Sequence, residues 1–351
     1  MLLLVAFGSL MIYSSSIGDA DKTNYVYRQI IYFAFGLVIY FFVATTDFRI
    51  FLNFANWLYG FLLVLLLITF VIGFESRGSV RWIDFKFFTL QASELAKPVL
   101  ILFLTNFFLN YPPTKIRHIV LSLVLVLVPV AFVFKQPDLG SALVLIATWL
   151  SLVYLSGIKV RDLIGIGFVA LVSVPLVLSL LKSYQKARLF TFLNPESDPL
   201  GSGYNLVQSI IAVGSGQLFG KGFGRGTQSH LNYLPEQKTD FIFATTAEEL
   251  GFVGVCVILA LFAVLTWRIL KIADNGESRA GKLICYGSLL VIIFQLFVNA
   301  GMNMGLLPIT GITLPFISFG GSSLLSMMIL MGLVQAVRLH PAESYKLDRG
   351  S

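Results

Sequence analysis

The sequence predicts an all-α polytopic membrane protein with about ten transmembrane helices. Three observations predict it. Hydrophobic residues make up 57% of the chain and charged residues 12%, and the mean hydropathy is +0.85; a soluble domain carries about 25% charged residues. Apolar runs of about 17–25 residues, enough to cross a bilayer core, recur along the chain. The polar segments between them are, with one exception, short.

The expected spans lie near 1–17, 28–45, 54–73, 93–110, 118–134, 139–156, 160–181, 241–270, 282–304 and 312–338. Met1 to Ser14 is apolar with no basic residues ahead of it, so it reads as a span and not as a cleaved signal peptide. Arg49, Lys115, Arg117, Lys159, Arg161, Arg268, Lys271, Arg279, Lys282, Arg338, Lys346 and Arg349 fall on the side that the termini share. Fewer cations, Lys22, Arg28, Arg77, Arg81, Lys86 and Lys135, fall in the short loops opposite, which puts both termini in the cytoplasm. The chain reads as one membrane domain over 1–351. Its exception is a long extracellular loop, 182–240, between the seventh and eighth helices. Within it, "YNLVQSIIAV" (Tyr204–Val213) places Leu206, Val207, Ile210 and Ile211 on one stripe and predicts a short amphipathic helix at the interface.

Several classes are excluded. Cys256 and Cys285 sit in apolar runs, so no disulfide framework exists. His118, His230 and His340 are too far apart for a metal-ligand spacing. The net charge of +7 comes without a basic block, which fits topology and anionic lipid, not nucleic acid.

The chemistry-bearing residues gather on the outer side. In "LPEQKTDFIFATTAEELGFVG", Asp240 has two open readings, an N-cap for the eighth helix or a reactive carboxylate. On a helical projection Glu248 lies about 80° round from Asp240 and Glu249 about 180°. Glu248 is thus expected to share a cavity with Asp240, and Glu249 to be paired elsewhere as a structural residue. Glu94 and Lys97, three apart, are expected to pair and line a polar pocket. Trp82 and Arg81 in "GSVRWIDF" suit either an interfacial belt or a sugar platform. Asp138 in "KQPDLG" is placed to cap the sixth helix. The glycine-rich "GSGQLFGKGFGRGTQS" lacks the spacing of a nucleotide loop. Its N–H groups, with Lys221 and Arg225, would suit a phosphate. Pro308 and Pro315 interrupt the last two spans, which implies broken backbone that is buried or lines the same cavity.

These residues, with "LQASELAK", "NPESDPLGSGYNLVQSIIAVGSGQLFGKG" and "GLLPITGITLPFISFGGSS", resemble the SEDS family (shape, elongation, division and sporulation), of the RodA type, over the whole chain. The family often has Pro where Ala92 stands, a basic–His pair at Gln237–Lys238, and Pro at Thr313. The resemblance implies a GT-C-like fold and a peptidoglycan glycosyltransferase that polymerises lipid II at the outer face of the bacterial cytoplasmic membrane. A class B penicillin-binding protein and other elongation-complex proteins would be its partners. It implies Asp240 as general base in an inverting single displacement. Trp82, Glu94, Lys97, Asp138, Arg188, Gln208, Lys221, Arg225, Gln228, Ser229, Lys238 and Glu248 would stand in or near the substrate cavity. It leaves room for a divalent cation, Mg2+ or Mn2+, at Asp240, and implies no organic cofactor. A lipid II flippase, a noncatalytic scaffold and a division-type synthase are the competing readings.

Overall fold

The structure, a computed structural model, describes residues 1–17, 22–76, 79–84, 89–195, 201–230, 233–234 and 236–341. Arg77, Lys86, Lys346 and Arg349 lie outside the described residues. The chain forms two compact units. The first comprises Met1–Ile30, Val160–Ala263 and Gln295–Phe319; the second comprises Ile31–Lys159, Val264–Phe294 and Gly320–Ser351.

Fourteen helices are described: α1 (Leu2–Ser15), α2 (Lys22–Thr45), α3 (Phe48–Asn53), α4 (Ala55–Ile72), α5 (Ala92–Asn110), α6 (Ile116–Lys135), α7 (Leu139–Leu155), α8 (Val160–Leu180), α9 (Ser183–Leu193), α10 (Ser202–Ser215), α11 (Thr227–His230), α12 (Ile242–Asn275), α13 (Arg279–Asn303) and α14 (Gly321–Leu339). Among the described residues, six helices are long and apolar enough to cross a membrane: most of α2, and α5, α6, α12, α13 and α14. Shorter apolar helices lie at α1, α4 and α7.

The second unit is built round α5. Leu100, Ile101, Leu104 and Phe108 are fully buried, and α4, α7 and α14 pack against them. A helix buried on most sides must be largely apolar, and beyond its first two turns α5 has only Thr105, Asn106 and Asn110 as polar residues. By contrast α6 keeps Val120, Leu121, Val124 and Leu127 exposed, as a lipid-facing helix does. Three short strands, β1 (Phe74–Ser76), β2 (Ser79–Asp84) and β3 (Thr89–Gln91), form an antiparallel sheet ordered β1-β2-β3. This small sheet qualifies the all-α expectation. Val80, Trp82 and Ile83 favour extended backbone, but strands of three to six residues are too short to announce themselves by alternation.

In the first unit, α10 lies where the sequence puts its amphipathic helix. Leu206, Ser209 and Ala212 are buried, while Val207, Ile210 and Ile211 are exposed. The last span differs from expectation. Helix α14 starts at Gly321, not near 312, and residues 304–320 form turns and irregular backbone. Pro308 and Pro315 have no N–H to give a helix, and Gly305 and Gly311 adopt φ of 75°. Ile312, Leu314, Phe316 and Ile317 are all buried, so the second half of the irregular stretch is shielded by protein, while Met304, Leu306 and Gly311 are exposed.

Candidate functional site

Asp240 does not lie on a helix. It sits in the turn 236–241 that precedes α12, so the helical projection from Asp240 to Glu248 does not apply. Phe241, buried with Ala212, Leu234 and Ala244, anchors the turn to α10. The successive carbonyls of Lys238, Thr239 and Asp240 all accept hydrogen bonds from other segments. The donors are the Phe319 N–H (2.8 Å), Ser318 Oγ (2.6 Å), and both Asn299 Nδ2 and Asn303 Nδ2 (3.0 Å each). The Asp240 side chain is half-buried. A Cβ at Gly311 would stand 3.6 Å from its Oδ2, so the bare glycine forms one wall beside the carboxylate. Two cations of the same unit are half-buried. Arg188 donates to the Ile309 carbonyl at 3.5 Å, two residues before Gly311. The Lys238 ammonium stands 3.9 Å from the centre of the Tyr25 ring. Gln208, on α10, is half-buried.

Further along, α12 is broken at Gly251, whose φ of 66° and ψ of −162° are not helical. The loop after α10 fills the break. The Lys221 and Gly222 N–H groups donate to the Glu248 and Glu249 carbonyls at 2.9 and 3.0 Å. The Phe252 and Val253 N–H groups donate to the Gln217 and Leu218 carbonyls at 2.8 and 3.1 Å. Four main-chain groups that the break would leave unpaired at membrane depth are thereby satisfied. A Cβ at Gly216 or Gly220 would overlap the Ala247 or Glu249 carbonyl, which explains the glycines. The expectation that this loop offers its N–H groups to a phosphate is corrected: those of Lys221, Gly222 and Gly224 point into the protein.

Glu248 is fully buried. Its Oε1 accepts from Lys221 Nζ (2.9 Å), Thr227 Oγ1 (3.1 Å) and the Gln228 N–H (2.9 Å). Its Oε2 accepts from the Ser229 N–H (3.2 Å) and Ser229 Oγ (3.1 Å). The carboxylate expected in Asp240's cavity is instead occupied by the loop, and so are Lys221 and Ser229, while Gln228 is engaged through its N–H. Lys221 also donates to Thr227 Oγ1 at 2.6 Å, while Arg225 is exposed. Glu249 is fully buried and accepts from Ser14 Oγ and, at 3.2 Å, the Gly224 N–H.

The remaining predicted residues belong to the second unit. Glu94 and Lys97 form a 2.6 Å ion pair with side chains 7% and 1% exposed. Asp138 caps α7 by accepting from the Ser141 N–H at 3.0 Å, and its Oδ2 accepts from Gln91 Nε2 and Ser93 Oγ. Trp82 is half-buried on β2, opposite Gln91 on β3. Its neighbour Arg81 donates to the Gln136 and Pro137 carbonyls.

The model of the FtsW/RodA/SpoVE family, described as cell cycle proteins, matches residues 1–343. The chain belongs to that family. The peptidoglycan glycosyltransferase MrdB of Escherichia coli K12 is 38% identical over 343 residues, 97% of this chain and 92% of the relative. A chain from a solved structure described as coordinating polymerization and crosslinking in a peptidoglycan synthase complex is 32% identical. It has a TM-score of 0.82 and covers 96% of each chain. The Thermus thermophilus rod shape determining protein RodA is 29% identical, with a TM-score of 0.73 over 97% of this chain and 95% of that one.

In this FtsW/RodA/SpoVE member, Asn299 and Asn303 are the functional-site residues that sequence reasoning missed. They stand four apart, on one face of α13, in the run "LFVNAGMNMG". Two uncharged polar residues four apart in an apolar helix are a usable signal. Among the described residues no three His, Cys, Asp or Glu side chains converge. The donor set therefore does not fit a resident metal cage.

Proposed function

We propose that this glycosyltransferase polymerises lipid II into β-1,4 glycan strands during cell elongation, with Asp240 as the general base. One observation carries the reading: Asp240 is a half-buried carboxylate on a turn held at three consecutive carbonyls. Such a frame supports a group that must meet a reacting atom at fixed distance. The acceptor's GlcNAc 4-hydroxyl gives its proton to Asp240 as its oxygen forms a bond to the donor's MurNAc C1. The bond from C1 to the diphosphate oxygen breaks, and the undecaprenyl diphosphate leaves with the electron pair. An α-linked donor giving a β-linked product requires inversion, so one displacement and one carboxylate suffice. Positive charge at the diphosphate removes the need for a protonating acid, and Arg188 and Lys238 of the same unit suit that task. A divalent cation brought in by the diphosphate would have Asp240 as its carboxylate ligand and would supply further positive charge to the leaving group.

The apolar helices and the family make the chain a multi-pass membrane protein. The polymerisation site faces outward from the cytoplasmic membrane in this reading, and a class B penicillin-binding protein is the partner that crosslinks the product. The test is glycan strand formation from purified lipid II with that transpeptidase present. Asp240→Asn keeps the shape and removes the base; full activity in that variant defeats the assignment.

A further inference from the structure

Two buried side-chain amides converge on one main-chain oxygen, the carbonyl of Asp240. A single donor is enough to satisfy a buried carbonyl. A second donor from a different turn of the same helix fixes its position. Neither amide is free to rotate. Asn299 Nδ2 also donates to the Ile312 carbonyl at 2.7 Å. Asn303 Oδ1 accepts from the Ala244 N–H at 3.2 Å and from Ser209 Oγ at 3.3 Å, which sets the orientation of that amide. Both asparagines are fully buried. Ser318 repeats the device one residue earlier. Its Oγ donates to the Thr239 carbonyl and accepts from the Leu314 N–H at 2.8 Å. The Asp240 carboxylate hangs from this frame by two side-chain torsions, so the frame sets where its oxygens stand.

Resting on the reading of Asp240 as base, we infer that Asn299, Asn303 and Ser318 are positioning residues for glycosyl transfer. They act through the Asp240 main chain and hold its carboxylate within reach of the acceptor hydroxyl. Displacing a reacting group by about 1 Å costs about 10²-fold in rate. Because the two asparagines share one acceptor, either alone retains part of the constraint, and their effects are coupled, not independent.

The experiment measures kcat and KM for lipid II polymerisation by the full chain in complex with its transpeptidase. Variants are Asn299→Ala, Asn303→Ala, the double variant, Ser318→Ala and Asp240→Asn. Rates are normalised to the folded complex recovered by size exclusion, and thermal unfolding is recorded for each. The expected result is a fall in kcat of about tenfold for each asparagine variant and for Ser318→Ala, with KM near wild type. The double variant falls by more than the product of the single losses. A merely structural role lowers the unfolding temperature and leaves kcat per folded complex at the wild-type value; that result overturns the inference. If the asparagine variants are not recovered folded, Ser318→Ala decides, and wild-type kcat there overturns it. Full activity in Asp240→Asn defeats the base assignment. An inactive Asp240→Asn beside wild-type kcat in the other variants defeats the positioning alone.

Discussion

Lys221 and Glu248 meet twice. Their side chains form an ion pair at 2.9 Å, and the Lys221 N–H donates to the Glu248 carbonyl, also at 2.9 Å. One contact closes the break in α12 and the other neutralises the charge buried beside it. Together they make the loop from Gly216 to Ser229 part of the helix that follows the Asp240 turn.

The partners of this pair are unequal, and the variants will show it. Glu248 accepts from five donors, whereas Lys221 Nζ reaches two acceptors and is 28% exposed. Glu248→Gln puts an amide donor among N–H and O–H donors and leaves Lys221 without its counter-charge. We expect it to cost roughly 3 kcal/mol. Lys221→Gln removes the counter-charge of a buried carboxylate but leaves it four other donors and an amide in place of the ammonium, and is expected to cost about 1–2 kcal/mol. Thermal unfolding of the detergent-solubilised protein ranks them; a larger loss for Lys221→Gln would contradict the asymmetry.

The glycines divide by what surrounds them. Gly220 has φ of 76°, and a Cβ there would overlap the Glu249 carbonyl, which is main chain and cannot turn aside. Gly220→Ala is expected to lose about 2 kcal/mol or more, from the left-handed backbone and the collision together. Gly214, near the end of α10, has nothing within 4 Å of its would-be Cβ. Gly214→Ala is expected to gain about 0.5–1 kcal/mol from helix propensity. Unfolding temperatures moving in the same direction for both would show that the loop does not dock at the break.

Most helices were legible because a membrane span is written in one long apolar run. Spans such as 93–110 and 139–156 agree with α5 and α7 to within a residue. The sheet was not legible, because its strands are short and their polar and apolar residues carry no extended alternation. The glycine-rich loop was legible as close-approach backbone, but a sequence does not say what approaches. A phosphate and a broken helix demand the same glycines, and only the geometry shows the Glu248 and Glu249 carbonyls as the partners. Asp240 was legible as a carboxylate at a helix start. Its clamp was not, because Asn299 and Asn303 are about 60 residues away along the chain and come to it only through the packing of α13.

In the second unit, the Glu94–Lys97 pair makes a thermodynamic prediction. With both side chains nearly inaccessible, removing one partner strands the other charge, at an expected cost of about 3–5 kcal/mol. Glu94→Gln and Lys97→Met should each reduce the yield of folded protein and its unfolding temperature. The double variant replaces two charges by neutral groups of similar size and should recover most of the loss. Additive losses in a double-mutant cycle would show that the two groups do not interact.

The chemistry at Asp240 separates two demands, a proton acceptor and its placement. Asp240→Asn fails the first and keeps the second, so the loss expected is that of a general base, about 10²–10⁴-fold in kcat. Asp240→Glu meets the first and fails the second. Its extra methylene moves the carboxylate by about 1 Å on a turn whose carbonyls are pinned and cannot retreat. Gly311 carries no side chain beside Oδ2, so that flank adds no side-chain collision with the longer residue. We therefore expect Asp240→Glu to be folded and partly active, below wild type and above Asp240→Asn. Steady-state polymerisation rates for the three proteins over a range of lipid II concentrations test the order. Equal rates for the Asn and Glu variants would mean that the carboxylate's proton chemistry is not what the position supplies.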